Sequence, residues 1–212
     1  MNGDRLGQLL RDAACGAPPP VDMAVELIPR PTGAVAAVVA FTGHIVIAAD
    51  VAPDWVASRC APGNLIAPIR PEFLVALTER CGCTAFSTTV TLALPSGIDR
   101  DREATVVPAD DRVTERILRS HQVRTDVRVY RSEDGAGRLV IGRGLAGRWE
   151  AGFEVEPAAR GRGLGKGLAA AARRLVPAGE PLFMQVVPGN VASLRAVLGA
   201  GFRPVTSEVL LW

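Results

Sequence analysis

The sequence predicts an α/β chain of the α+β type, strands and helices in both halves, and three observations carry that reading. Apolar runs of strand length alternate with helical runs in both halves of the chain. A strand, a glycine-rich turn and an Ala/Leu-rich helix follow one another between Phe153 and Leu175. Pro95, Gly97 and the charged run Asp99-Arg100-Asp101-Arg102 separate the halves. The expected division is therefore residues 1–98 and residues 104–212.

In the first half, Leu6, Leu9, Leu10 and Ala13 share one face of a helix over 4–14, which Gly16 and the prolines at 18–20 end. Residues 25–28, 35–41 and 44–49 read as strands, the last two joined at Thr42-Gly43. Residues 53–59 and 71–80 read as short helices with proline in the first turn. Residues 86–94 are rich in Thr and Val and read as a strand. No chemical motif stands out here, and His44, alone in an apolar setting, reads as structural. The second half reads as a helix over 110–120, strands over 126–131, 139–143 and 149–155, a helix over 164–175, a strand over 182–187, a helix from Asn190 and a last strand over 207–212.

Composition narrows the function classes. With 48% hydrophobic residues the 212-residue chain can build a real core. A net charge of +2 leaves no nucleic-acid footprint. The charge is uneven: residues 1–103 hold 8 arginines against 11 acids, and the remainder holds 16 basic residues against 11 acids. The basic half is the one with the glycine-rich turn, as an anionic ligand requires. The longest apolar run, 34–41, is far short of the ~20 residues that span a bilayer. The N-terminus has no signal-peptide core, so the cytoplasm is the expected compartment and the four cysteines read as reduced thiols. Cys81-Gly82-Cys83 lacks a second pair, and no metal is expected.

The turn itself reads as a pyrophosphate cradle. The first N–H groups of a helix have no partner within it, and the helix dipole favours negative charge there. Gly161, Gly163 and Gly165 let backbone approach a phosphate, and Arg160, Arg162 and Lys166 add charge around Leu164. Lys166 is the only lysine in the chain. A Walker A loop would need glycine at 160 and Ser or Thr at 167, where Arg and Gly stand. The dinucleotide fingerprint would need glycine at 166. Arg-x-x-Gly-x-Gly over Arg160, Gly163 and Gly165 does fit, and a second strand leads to Asn190-Val191-Ala192-Ser193 and then Gly201-Phe202.

These two motifs, in this order, resemble the acyl-coenzyme A loop and the Asn-x-x-Ser segment of the GNAT superfamily of N-acetyltransferases, over about residues 104–212. The resemblance implies a mixed sheet, flanked by helices, that splays open after its central strand. It implies acetyl-coenzyme A as acyl donor, an amine as acceptor, and direct attack of the amine on the thioester. The pantetheine arm would bond the backbone at Glu154 and Val155, and the pyrophosphate would sit on the amides of 162–166. Asn190 and Ser193 would face the donor across the splay. A general base is needed; Glu150, five residues before Val155, is where some members place it, and Glu154 shares its strand face. Many members carry a tyrosine seven residues after the Asn, where Val197 stands here, and others a carboxylate five before it, where Gln185 stands. The sole tyrosine is Tyr130, on an earlier strand. The alternative is therefore a coenzyme A-binding sensor or scaffold with little catalysis. Residues 1–98 read either as a degenerate half of the same fold, or as a cap that shapes the acceptor pocket or joins two copies in a homodimer.

Overall fold

The computed structural model describes residues 5–31, 35–95, 104–109 and 114–212. Within it the chain forms two units, residues up to Thr91 with Val205–Trp212, and Leu92–Pro204.

The first unit contains α1 (Arg5–Ala14), β1 (Ala24–Ile28), β2 (Ala36–Phe41), β3 (His44–Ala48), α2 (Pro53–Ala57), α3 (Pro71–Arg80) and β4 (Phe86–Leu94) as far as Thr91. Its strand order is β1-β3-β2, then the chain's last strand, then β4. Every residue of β3 is buried, which is why residues 45–48 are a continuous apolar run rather than an alternating one. Ile45, Ile47 and Val38 pack with Val56 of α2 and with Phe73, Leu74 and Leu77 of α3. The buried His44 ring lies between two carboxylates, Nδ1 at 2.9 Å from Asp22 and Nε2 at 3.2 Å from Glu26. Burial raises the pKa of the Cys60 and Cys81 thiols, and no cluster of metal-ligating side chains occurs among the described residues.

The second unit contains β5 (Val106–Pro108), α4 (Glu115–Val123), β6 (Thr125–Ser132), β7 (Gly137–Arg143), β8 (Trp149–Val155), α5 (Leu164–Ala171), β9 (Leu182–Val186) and α6 (Val191–Gly199). Its strand order is β9-β8-β7-β6-β5, antiparallel except for the parallel pair β8–β9. This is the mixed sheet with flanking helices that the resemblance implies. Successive strand residues point to opposite faces. A side chain at Gly165 of α5 would meet Phe153, whereas one at Gly152 would meet Arg116 of α4. The two helices therefore cover opposite faces of β8.

Three elements differ from expectation. The last strand, β10 (Arg203–Leu211), is longer than the 207–212 read from sequence and pairs antiparallel with β2, so it belongs to the first unit rather than to the half that precedes it. β5 is three residues long and ends on a proline, too short to read as a strand without its partner β6. α4 runs later than 110–120 because Thr114 caps it, its hydroxyl accepting from the Ile117 N–H. Residues 110–113 and the charged run 99–102 lie outside the described residues.

Candidate functional site

The parallel ladder between β8 and β9 is short. It pairs Trp149 with Leu182, Glu150 with Phe183 and Ala151 with Met184, and then stops, although β8 continues to Val155. Beyond Ala151 the two strands part. On the other side β8 stays paired with β7 along its whole length. The Glu156 N–H donates to the Ala136 carbonyl at 2.9 Å, and hydrogen-bonded pairs alternate along an antiparallel ladder. Gly152 and Glu154 therefore spend their backbone groups on β7. The N–H and C=O groups of Phe153 and Val155 point into the parting. So the Val155 backbone faces the parting, where its carbonyl accepts from Arg160 Nε, whereas the Glu154 backbone faces β7.

The parting opens a cleft of about 630 Å³ in the second unit. Arg160, Gly161, Gly163, Leu164, Gly165, Lys166, Asn190 and Ser193 all line it, together with Glu154 and Val155. Gly163 is the N-cap of α5 with φ of +87°, a left-handed conformation that costs an L side chain roughly 1–2 kcal/mol. The first intrahelical bond runs from the Gly167 N–H to the Gly163 carbonyl, so the N–H groups of residues 164–166 are left for a ligand. Gly165 has another reason: its Cβ would stand 3.0 Å from the Phe153 ring, so a larger residue would lift α5 off the sheet. Arg160 Nε donates to the Val155 carbonyl at 3.1 Å and ties the loop to the strand end. Asn190 caps α6, its Oδ1 accepting from the Ser193 N–H at 3.1 Å. Arg162 is exposed and does not line the cleft.

Sequence reasoning missed three lining residues that matter. Phe153 forms the wall between strand and helix, and Arg195 and Arg116 add charge. With them the cleft carries Arg116, Arg160, Lys166 and Arg195 against the single carboxylate of Glu154. That balance suits a polyanion. The spacing of Arg116, Ser120 and Arg124, four residues apart, is the sequence signal that marks one polar helix face.

Glu150 is placed differently from Glu154. It is 3% exposed and absent from the cleft wall. Arg124 Nε donates to its Oε2 and Arg148 Nε to its Oε1, both at 2.9 Å, and the Leu145 N–H adds a third bond. Burial alone would raise its pKa, but the charges and hydrogen bonds of Arg148 and Arg124 outweigh that and hold it below the ordinary value. A carboxylate so held is a poor proton acceptor. Glu154, on the same strand face, is partly exposed in the cleft. Val197 is buried in the core, and Tyr130 does not line the cleft.

No protein-family model matches the sequence, and no curated protein is similar to it. Among solved structures, the chain is similar to a GNAT-family acetyltransferase from Colwellia psychrerythraea at 12% identity and a TM-score of 0.42, over 65% of this chain and 61% of that one. It is similar to a GCN5-related N-acetyltransferase from Kribbella flavida at 18% identity and a TM-score of 0.41, over 66% and 63%. It is also similar to a GCN5-related N-acetyltransferase from Sphaerobacter thermophilus at 16% identity and a TM-score of 0.42, over 66% and 55%. The matched part thus spans less than two thirds of each of those structures.

Proposed function

We propose that the cleft between β8 and β9 binds acetyl-coenzyme A and that the protein is a GNAT-type N-acetyltransferase acting on an amine. One observation carries the reading: a sheet parted beside a strand whose Phe153 and Val155 backbone groups turn away from β7, ending at a helix start ringed by Arg160, Lys166 and Arg195. The residues fit the donor on three counts. The parting offers Phe153 and Val155 as a strand edge for an amide-containing arm. The 164–166 amides, exposed by the left-handed turn at Gly163, suit a pyrophosphate. The surplus of cations suits its charge. When bound, the donor supplies its acyl group: a C–N bond to the amine forms as the C–S bond breaks, the amine gives up a proton and the thiolate takes one.

The chain's own residues then have distinct tasks. Glu154 accepts the proton that an ammonium must lose before it attacks, directly or through water. Glu150 holds Arg124 and Arg148 in place and is a positioning residue. A backbone N–H in the parting, at Phe153 or Val155, stabilises negative charge on the acyl oxygen. Thiol release from acetyl-coenzyme A over a broad amine panel tests the reading. Turnover that falls about 10²–10⁴-fold in Glu154→Gln with coenzyme A affinity retained supports it.

The second reading is a coenzyme A-binding sensor with little catalysis. Val197 favours it, because that position holds a buried aliphatic side chain and no acid for the leaving thiolate. Tight coenzyme A binding with no turnover on any amine would select it.

A further inference from the structure

We propose that Arg116 makes the acceptor site selective for an amine that also carries a carboxylate a few bonds from the reacting nitrogen, an amino acid rather than a plain amine. This rests on the reading of the cleft as a thioester site.

The position of Arg116 carries the argument. A Cβ at Gly152 would lie 3.1 Å from Arg116 Nη1, so the guanidinium end of the side chain lies over Gly152. Gly152 is the first residue past the end of the β8–β9 ladder, at the apex of the parting. The phosphate cradle begins past Val155, about 10 Å further along the strand at ~3.3 Å per residue. Arg160, Lys166 and Arg195 already serve that end. Arg116 therefore stands where the acyl group would be attacked.

Among the described residues Glu154 is the carboxylate whose charge acts on Arg116. Glu150 is committed to Arg124 and Arg148. The residue is exposed, and its guanidinium end lies over Gly152 at the wall of the cleft. Burial and the nearby charges of Arg124 and Arg119 lower its pKa, while Glu154 acts the other way. A guanidinium facing an open cleft can take a carboxylate, which accepts two parallel N–H bonds from its planar fork. Glu154 lies two residues from Gly152 on the same strand face, about 7 Å along. The face thus offers a cation and a carboxylate side by side, the complement of a zwitterion with its ammonium at Glu154 and its carboxylate at Arg116.

The test is acetyl-coenzyme A turnover, read by thiol release, on matched acceptors: amino acids, their amides, the decarboxylated amines and the aminophosphonates. Wild type should favour the amino acid over its amide and its decarboxylated amine by about tenfold or more in kcat/KM. Arg116→Gln should bring that ratio close to one, chiefly through KM for the amino acid. Arg116→Lys should recover only part of it. Preference for the phosphonate over the carboxylate would overturn the carboxylate assignment. A ratio unchanged in Arg116→Gln would overturn the proposal. So would loss of coenzyme A affinity by calorimetry without any change in the ratio, since Arg116 would then serve the donor. If no acceptor turns over, amino acids and amines are titrated by calorimetry into the protein saturated with coenzyme A. Carboxylate-selective binding that Arg116→Gln abolishes upholds the acceptor site while the catalytic reading fails; its absence sinks the proposal. Thermal melting of both variants checks that the fold is intact.

Discussion

Two glutamates four residues apart on one strand face have opposite surroundings. Glu150 is sealed against two arginines; Glu154 opens on the cleft. Glu150→Gln should lower stability by roughly 3–5 kcal/mol, because it removes the buried charge to which both Arg124 and Arg148 donate. Glu154→Gln should stay within about 0.5 kcal/mol of wild type in denaturant titrations while losing turnover. The depressed pKa of Glu150 also fixes a pH dependence. Its stabilisation is fully present above the unfolded value near 4.5 and is lost as pH falls through the lower folded value. The gap in unfolding free energy between wild type and Glu150→Gln should therefore narrow as pH is taken from 6 towards 3. A gap that stays constant over that range would mean that the carboxylate titrates alike in the folded and unfolded chain. At Gly163 two effects separate. Gly163→Ala should cost roughly 1–2 kcal/mol through its left-handed backbone. Gly163→Glu should in addition abolish coenzyme A binding in calorimetry, since a carboxylate enters the phosphate site. The glycines and basic residues of this loop were legible in the sequence, being a local pattern. The burial of Glu150 was not, because Arg124 reaches it from 26 residues away.

At the scale of elements, the site is the product of a strand that keeps one neighbour and leaves the other. β8 remains paired with β7 to its end while its pairing with β9 stops at Ala151. α5 then seats against Phe153 through Gly165, and α6 starts at the Asn190 cap. Asn190→Ala should cost about 1 kcal/mol of stability through the lost cap and should weaken coenzyme A binding, because the first turn of α6 borders the cleft. Retained affinity in that variant would limit Asn190 to its structural task. Element type and order could be read from apolar periodicity and caps, since those are set by neighbours within a few residues. Where a ladder stops could not. β8 is a continuous run from Trp149 to Val155, and nothing in it marks Ala151 as the last residue to meet β9.

At the scale of the whole molecule, the chain's end is returned to its beginning. β10 stands between β2 and β4, and Val209 and Leu211 are buried in the core of the first unit. Deleting residues 205–212 should unfold that unit, seen as loss of its cooperative thermal transition and rapid proteolysis before Thr91. Resistance equal to the full chain would show that β10 is dispensable there. By itself the sequence determined the kinds of element, the glycine-rich start of α5 and the Asn190 cap, since each depends on residues within one or two turns of one another. Only the tertiary structure decided that β10 serves the first unit, that Glu150 is locked by arginines, and that Arg116 lies over Gly152. Those outcomes depend on pairing and packing between residues far apart in the chain, for which no local pattern carries the information.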